Sequence, residues 1–156
     1  MDDAARLDEV DRRIIAELEA DGRLSVRALA ERIPISRAAA YTRLERLTGS
    51  SVVTGFTVLT DPAAMGLTTS AYVTMTVRQS AWRELRERLR EIPEIHHMAL
   101  VGGEFDVILL VRTTDNDALR RLVLERLQDM PGVLGTRTSL IFEDLENRPR
   151  RTDRRP

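Results

Sequence analysis

The sequence predicts an α+β protein, with an N-terminal winged helix-turn-helix joined to a C-terminal ferredoxin-like βαββαβ domain. Three observations predict this fold class. Apolar residues recur at helical spacing in three short segments before residue 48, strand and helix patterns alternate from residue 71 to residue 141, and a turn-forming stretch separates the two patterns. The 156 residues are enough for two such small domains, each with a modest core.

Three helices and a strand are predicted for the first domain, which spans residues 1–60. Asp21-Gly22 ends the first helix, and Ser25 and Ser36 are suitable N-caps for the other two. A Gly-Ser break and the β-branched residues after it favour a strand, the wing. The predicted bounds are 7–20, 25–33 and 36–47 for the helices and Val52 to Val58 for the strand.

The second domain is predicted over residues 69–145, after a linker over 61–68 that Asp61-Pro62 opens. Alternation of apolar and polar residues indicates half-buried strands, and apolar residues at helical spacing indicate two amphipathic helices. Strands are predicted at 71–77, 96–101, 105–113 and 134–141, and helices at 82–92 and 119–127, in the order βαββαβ. The Arg- and Pro-rich residues 146–156 are predicted to form a disordered tail.

One strand of the second domain predicts a homodimer. Val107 to Val111 is apolar at successive positions, so both faces of this strand are apolar. A lone βαββαβ domain has helices on only one side of its sheet, so the other face needs a cover. A second copy of the chain is the simplest cover, because most soluble homo-oligomers close through a two-fold axis.

Composition excludes several classes of function. The absence of cysteine excludes disulfides, thiolate zinc sites and thiol nucleophiles. The longest apolar run is far too short to cross a bilayer and the acidic N-terminus lacks the layout of a secretory signal, so we expect a cytoplasmic chain with no membrane partner. All 24 cationic side chains are Arg and the net charge is −1, so a surface that binds nucleic acid requires local clustering of Arg.

The third helix is the candidate reader of double-stranded DNA. The apolar stripe of this helix faces the core of the domain, so the opposite face is free to contact DNA. The N-terminal residues of a recognition helix enter the major groove most deeply. Arg43 and Arg46 lie farther along, where a guanidinium meets the sugar-phosphate backbone. The predicted DNA-binding residues are Ser36, Arg37, Ala38, Tyr41, Thr42, Arg43 and Arg46. A solvated amphipathic helix is the alternative.

The tail is predicted to be solvated, with auxiliary contact to DNA phosphates as its alternative role.

Two sets of residues resemble a known family. The first is similar to the N-terminal domain of Lrp/AsnC-type transcriptional regulators and consists of Leu7 to Ile15, Leu18, Asp21 to Arg23, Leu29-Ala30, Ser36, Arg43-Leu44 and Arg46-Leu47. In the second half, Val101 to Asp106 looks like the family's Gly-containing effector loop. Met130 to Val133, followed by Thr136 to Thr138, resembles the entry to its final strand. The resemblance covers about residues 6–145.

This resemblance implies a sequence-specific regulator of transcription that forms dimers or octamers and responds to an amino acid or related small metabolite. It also implies an effector site where subunits meet, with no cofactor. Gly102 and Gly103 would expose backbone N–H groups to a carboxylate, and Asp106 would accept from an ammonium group. The predicted effector-binding residues are Val101, Gly102, Gly103, Glu104, Asp106, Thr136 and Thr138. A plain tight turn is the alternative for the two glycines.

Two departures from the family pattern affect the DNA-binding domain. Pro34 stands where the family usually has Gly, and proline cannot adopt a positive φ and biases Ile33 toward extended geometry. A re-angled turn is therefore expected, and a sensing subunit that no longer binds DNA is an alternative. Thr48 to Ser51 also lacks the charged-then-Gly entry to the wing.

No catalytic or metal site is predicted. His96-His97 is the only histidine pair, and adjacent strand residues point to opposite faces, which prevents both from binding one metal ion within a chain. Glu104 and Asp106 lack a neighbouring nucleophile at a motif spacing. Siroheme decarboxylases resemble the same two-domain architecture, so an enzyme that uses His96 or His97 is the alternative function.

Overall fold

The computed structural model describes residues 7–145 of the chain. They divide into two compact units, of which the first ends at Leu59 and the second spans Thr60–Leu145. The predicted tail over 146–156 lies outside the described residues.

The first unit contains three helices, α1 Glu9–Ala20, α2 Val26–Arg32 and α3 Arg37–Gly49. Both predicted caps are confirmed, since Ser25 Oγ accepts a hydrogen bond from the Ala28 amide and Ser36 Oγ accepts one from the Ala39 amide, each at 3.1 Å. The apolar stripes of the helices meet in a small core whose buried members are Ile14, Leu29, Ile33 and Leu47. The sequence therefore predicted the three helices of this unit correctly.

Pro34 forms the turn between α2 and α3. Ile33 has φ −106° and ψ 110°, the extended geometry that a following proline favours. The Ile35 amide donates to the Ile33 carbonyl at 2.5 Å, so the chain reverses around Pro34 in a γ-turn that needs no positive φ. Ile33 remains in the core and Ser36 still caps α3. The helix-turn-helix therefore forms with proline at the position of the usual glycine.

The predicted strand from Val52 to Val58 is wrong, because this segment has no ladder partner within the described residues. Its first residue instead completes the end of α3. The amides of Ser51 and Val52 donate to the carbonyls of Thr48 and Leu47 at 3.2 and 3.1 Å, and Ser51 has φ +59°, which together form a Schellman motif. β-branched residues form a strand only beside another strand, and the described part of this unit provides none.

The second unit is a four-stranded antiparallel sheet with helices. Its elements are β1 Thr69–Val77, α4 Trp82–Arg90, β2 Ile95–Leu100, β3 Val107–Thr113, α5 Asn116–Arg121 and β4 Val133–Leu140. A 3₁₀ turn precedes α4 and a π-helical segment, Leu122–Leu127, continues α5. The strand order is β2-β3-β1-β4. This order confirms the βαββαβ, ferredoxin-like prediction.

The helices cover one face of this sheet. Alternate residues of β1 and β3 are buried against them in a core that includes Val73, Met75, Val107, Leu109, Leu85, Leu89, Leu119 and Leu127. The intervening residues of β3 face the other way and are only half-buried. There Leu110 lies between Tyr72 of β1 and His97 of β2. Leu109 thus faces the helices and Leu110 faces away from them.

Candidate nucleic-acid interface and effector loop

The exposed face of α3 is the candidate nucleic-acid interface. Ala40 and Leu47 are fully buried, whereas the predicted base-reading residues Arg37, Ala38, Tyr41 and Thr42 are all exposed. They lie at the N-terminal half of the helix, where unpaired backbone amides carry partial positive charge. Within residues 7–145, Arg37 forms no ion pair. This end of α3 therefore presents a free guanidinium.

Several polar groups on this face bond within the helix. The Ser36 hydroxyl is the N-cap, and Thr42 Oγ1 donates to the Ala38 carbonyl at 3.1 Å. A hydrogen bond to the Glu45 carboxylate raises the pKa of the Tyr41 phenol above its usual value. Tyr41 is therefore neutral at neutral pH, and its ring is 54% exposed.

Two carboxylates at the start of α1 bind the other two arginines of α3. Arg43 Nη1 donates to Asp8 Oδ2 at 2.6 Å and to Asp11 Oδ1 at 2.7 Å. Arg46 Nη2 donates to Asp11 Oδ2 at 2.5 Å. The Asp11 side chain is 1% exposed, whereas those of Arg43 and Arg46 are 30% and 39% exposed. These four residues form the acid–arginine cluster.

The same two carboxylates cap α1. The Asp11 amide donates to Asp8 Oδ1 at 2.8 Å and the Asp8 amide donates to Asp11 Oδ2 at 3.1 Å, which makes a reciprocal capping box. All four carboxylate oxygens thus accept at least one bond. The cluster therefore joins the first turn of α1 directly to α3.

Burial by itself raises the pKa of Asp11, but hydrogen bonds from Arg46, Arg43 and the Asp8 amide outweigh it and lower that pKa to about 2. The Asp11 amide and the Arg43 guanidinium also lower the pKa of Asp8. The acid–arginine cluster is therefore fully ionised at neutral pH. Two of the three arginines on α3 are paired with carboxylates of their own chain.

Arg43 and Arg46 each use a single terminal nitrogen in these bonds. Their other guanidinium nitrogens form no hydrogen bond within the described residues and can meet a phosphate. Their predicted phosphate contacts stay a prediction. The sequence reasoning missed Asp8 and Asp11, although both pairs, Asp8/Asp11 and Arg43/Arg46, have the same spacing of three residues.

The predicted effector loop, Val101 to Asp106, joins β2 to β3. The Val101 amide donates to the Asp106 carbonyl at 2.8 Å, which closes the loop. Gly103 has φ +143°, a conformation in which other residues are strained, and a Cβ at either glycine would meet no atom within 4 Å. Gly102, Gly103 and Glu104 are exposed, so the backbone of the loop is accessible.

Asp106 already takes part in the sheet. Its amide donates to the Met75 carbonyl at 2.9 Å, and its Oδ2 accepts from the Val77 amide at 2.8 Å. Asp106 thus continues the pairing of β3 with β1 one residue before β3 begins at Val107. Oδ1 forms no hydrogen bond within the described residues, so one carboxylate oxygen remains for a ligand.

The sheet divides the rest of the predicted effector set. Thr136 and Thr138 lie opposite Met75 and Val73, on the helix side, and the Thr136 hydroxyl accepts a hydrogen bond from Gln128 at 2.8 Å. On the other face, Arg137 lies 3.6 Å from the Glu104 carboxylate. The structure therefore brings Glu104 together with Arg137, a residue that the sequence reasoning did not include, and not with the two threonines.

The histidine pair lies at an irregularity of β2, between Ile95 and His97. Burial lowers the pKa of His96, and the Arg112 charge adds to this effect. Among the described residues, no group of three His, Asp or Glu side chains is placed to hold a metal ion.

Two domain descriptions match the chain. Residues 7–48 match the AsnC-type helix-turn-helix domain, and residues 70–150 match the Lrp/AsnC ligand binding domain. The chain belongs to the Lrp/AsnC family of transcriptional regulators.

Individual relatives are similar over most of their length. The HTH-type transcriptional regulator AldR of Mycobacterium tuberculosis is 37% identical over 144 residues, which cover 90% of this chain and 80% of the relative. The leucine-responsive regulatory protein of Escherichia coli K12 is 32% identical over 143 residues, covering 90% and 87%. A solved transcriptional regulator from Neisseria meningitidis, in complex with L-Met, has a TM-score of 0.85 at 26% identity, covering 91% and 94%.

This Lrp/AsnC chain is a helix-turn-helix regulator of transcription and not an enzyme, as the sequence predicted. The decarboxylase alternative finds no support among these relatives. Among the helices that the structure describes, none is long and apolar enough to cross a membrane.

Asp11→Asn is expected to lower the free energy of unfolding by about 2 kcal/mol at neutral pH, from the lowering of its pKa from 3.8 to about 2. Asn retains an acceptor for the Asp8 amide but lacks the charge that both arginines bind. Because the folded pKa is lowered, the contribution of Asp11 is complete above the unfolded pKa near 3.8 and is lost as pH falls toward 2.

Denaturant unfolding followed by circular dichroism at several pH values checks this prediction. The difference between wild type and Asp11→Asn should shrink below about pH 4. Asp117→Asn, which removes an exposed carboxylate of α5, is the control for the loss of one charge and should change the free energy of unfolding little at neutral pH. A difference for Asp11→Asn that stays constant down to about pH 2 contradicts the assignment.

Proposed function

We propose that this chain reads an operator sequence with the N-terminal half of α3 and responds to an amino acid or a related small metabolite. The observation that carries the proposal is the exposed start of α3, where the Arg37 guanidinium is free of ion pairs within the described residues. In this proposal residues 1–60 are the DNA-binding domain, 61–68 a linker, and 69–145 the effector-binding and dimerisation domain. The chain acts on chromosomal DNA, so we place it in the cytoplasm.

Each exposed residue of α3 has a task that suits its chemistry. Arg37 suits the two acceptors of guanine in the major groove, and the methyl groups of Ala38 and Thr42 suit thymine. Arg43 and Arg46 contact phosphates through the nitrogens that the acid–arginine cluster leaves free.

The sheet face that the helices leave uncovered supports a homodimer. Ile108 and Leu110 of β3 are half-buried there, beside Tyr72, which is 45% exposed. A second copy that covers these apolar side chains removes them from water and gives one molecule two recognition helices. Octamers built from such dimers are part of the same proposal.

The loop from Val101 to Asp106 suits a zwitterionic ligand. The accessible amides of Gly102 and Gly103 would bind the carboxylate, and Asp106 Oδ1 would accept from the ammonium group. The regulator from N. meningitidis was solved with L-Met, which supports an amino acid as the class of ligand. Val101 and Glu104 are proposed as flanking contacts, whereas the predicted contacts of Thr136 and Thr138 are not kept, because both residues face the helix side of the sheet.

Arg37→Ala is expected to relax base preference at one position of each half-site, at a cost of roughly 1–3 kcal/mol on a duplex selected from a random library. Fluorescence anisotropy with selected and random duplexes measures this effect. Arg37→Lys is the matched control, since it keeps the charge but loses the bidentate geometry. It should retain affinity for random DNA and still lose base preference. Equal losses on both duplexes for Arg37→Ala would count against base reading.

Leu110→Asp is expected to convert the dimer to a monomer, because a carboxylate without a partner is strongly disfavoured inside an apolar interface. Sedimentation at micromolar concentration measures the change in mass. Leu124→Asp is the matched control, since Leu124 is 46% exposed on the helical layer, and it should remain dimeric. A monomeric wild type, or a dimeric Leu110→Asp variant that remains folded, contradicts the proposed interface.

A thermal-shift screen of the twenty amino acids tests the effector site, because a ligand that binds only the folded state raises the melting temperature. Asp106→Asn is the appropriate variant, since its amide oxygen can still accept from the Val77 amide while the charge is removed. The stabilising ligand should lose most of its effect on this variant. Equal stabilisation of both proteins would exclude Asp106 as the anchor, and no stabilisation of wild type would argue against an amino-acid effector.

A further inference from the structure

The acid–arginine cluster lies on the proposed DNA-binding helix and changes the charge that this helix offers. Arg43 and Arg46 are ion-paired, and Asp8, which is 51% exposed, lies within 2.6 Å of the Arg43 guanidinium. Any phosphate that meets Arg43 must therefore approach an exposed carboxylate as well. Arg37 is the one arginine of α3 that forms no ion pair within the described part of the chain.

We propose that Asp8 and Asp11 restrain the phosphate-driven binding of this regulator to DNA, which is independent of sequence, and so keep its affinity for random DNA low. The proposal rests on the proposed function, because it requires that α3 binds DNA.

The physical argument starts from the source of nonspecific affinity. Binding to random DNA depends on the phosphates that cations neutralise and on the counterions this releases. An arginine that shares its charge with a carboxylate neutralises a phosphate less completely. Contacts to base edges are made at short range by Arg37 and its neighbours and do not depend on this charge. The cluster therefore lowers affinity for every sequence while it leaves discrimination between sequences intact.

The composition of the chain makes this restraint effective. The formal net charge is −1, so the net charge of the chain as a whole does not draw it to DNA. Affinity for random duplexes then depends on local clusters of arginine, and the three arginines of α3 are one such cluster. Because Arg43 and Arg46 are paired with carboxylates, only one of the three arginines of α3 is left without an ion pair among the described residues.

Asp8→Asn separates the charge of the cluster from its structural role. Asn is as good an N-cap as Asp, so the bond from the Asp11 amide is retained, and Arg43 keeps its bond to Asp11. Asp115→Asn is the matched control. Asp115 caps α5 by accepting from the Ala118 amide at 2.7 Å, so this variant makes the same chemical change in the second unit.

The experiment measures affinity for a random duplex and a selected duplex as a function of salt. Asp8→Asn should bind the random duplex several-fold more tightly at low salt, and its slope of log K against log salt should be steeper by about one. The selected duplex should gain by a similar factor, so the ratio of specific to random affinity should stay close to that of wild type. Asp115→Asn should match wild type. Adding Arg43→Ala to Asp8→Asn should remove the gain, since Arg43 is the cation that Asp8 releases.

Three outcomes would overturn the restraint. Random-duplex affinity for Asp8→Asn equal to that of Asp115→Asn shows that Asp8 withholds no charge. A lower affinity, with helical content unchanged, shows that Asp8 instead orients Arg43 toward phosphate. A gain that persists in the double variant removes Arg43 from the explanation. A wild type that retains no duplex at low salt contradicts the proposed function itself, and this result is visible without any variant.

Discussion

The buried carboxylate of Asp11 fixes the position of the helix on which the DNA-reading surface depends. The described part of the first unit has a small apolar core, centred on Ile14, Leu29, Ile33 and Leu47, and apolar packing has less directional preference than an ion pair. Asp11 binds two arginines of α3 and the cap of α1 at once, and each of its oxygens accepts at least one hydrogen bond. A buried charge is tolerated only when it is bonded in this way, so any rotation of α3 that breaks these bonds is costly.

Two different kinds of interaction shape the two units. In the first unit, helix caps and ion pairs hold α3 in place, and the outer face of α3 is exposed. In the second, apolar packing of a sheet against two helices leaves the opposite face of that sheet half-buried, with Leu110 and Tyr72 side by side. These two surfaces suit the proposed function, in which the charged helix meets DNA and the apolar face of the sheet is covered by a second copy of the chain.

Most of the fold was predictable because the sequence carries local signals for it. Helical periodicity, the Ser25 and Ser36 caps and strand alternation each depend on neighbours in the chain, and each was confirmed. The wing was wrong because a strand depends on a partner, and Val52 instead completes the end of α3. The acid–arginine cluster was missed because it joins residues about 35 positions apart. The direction of Thr136 and the bond from Val77 to Asp106 depend on strand register, which composition does not reveal.

The most direct test of sequence-specific DNA binding is to sequence the chromosomal fragments that the purified chain retains from sheared genomic DNA at moderate salt. The account predicts a small set of enriched fragments that share an inverted repeat, with half-sites centred about one helical turn, roughly 10 base pairs, apart. Arg37→Ala should lose this enrichment while it still retains DNA. Retention of fragments that sample the genome evenly would contradict the account.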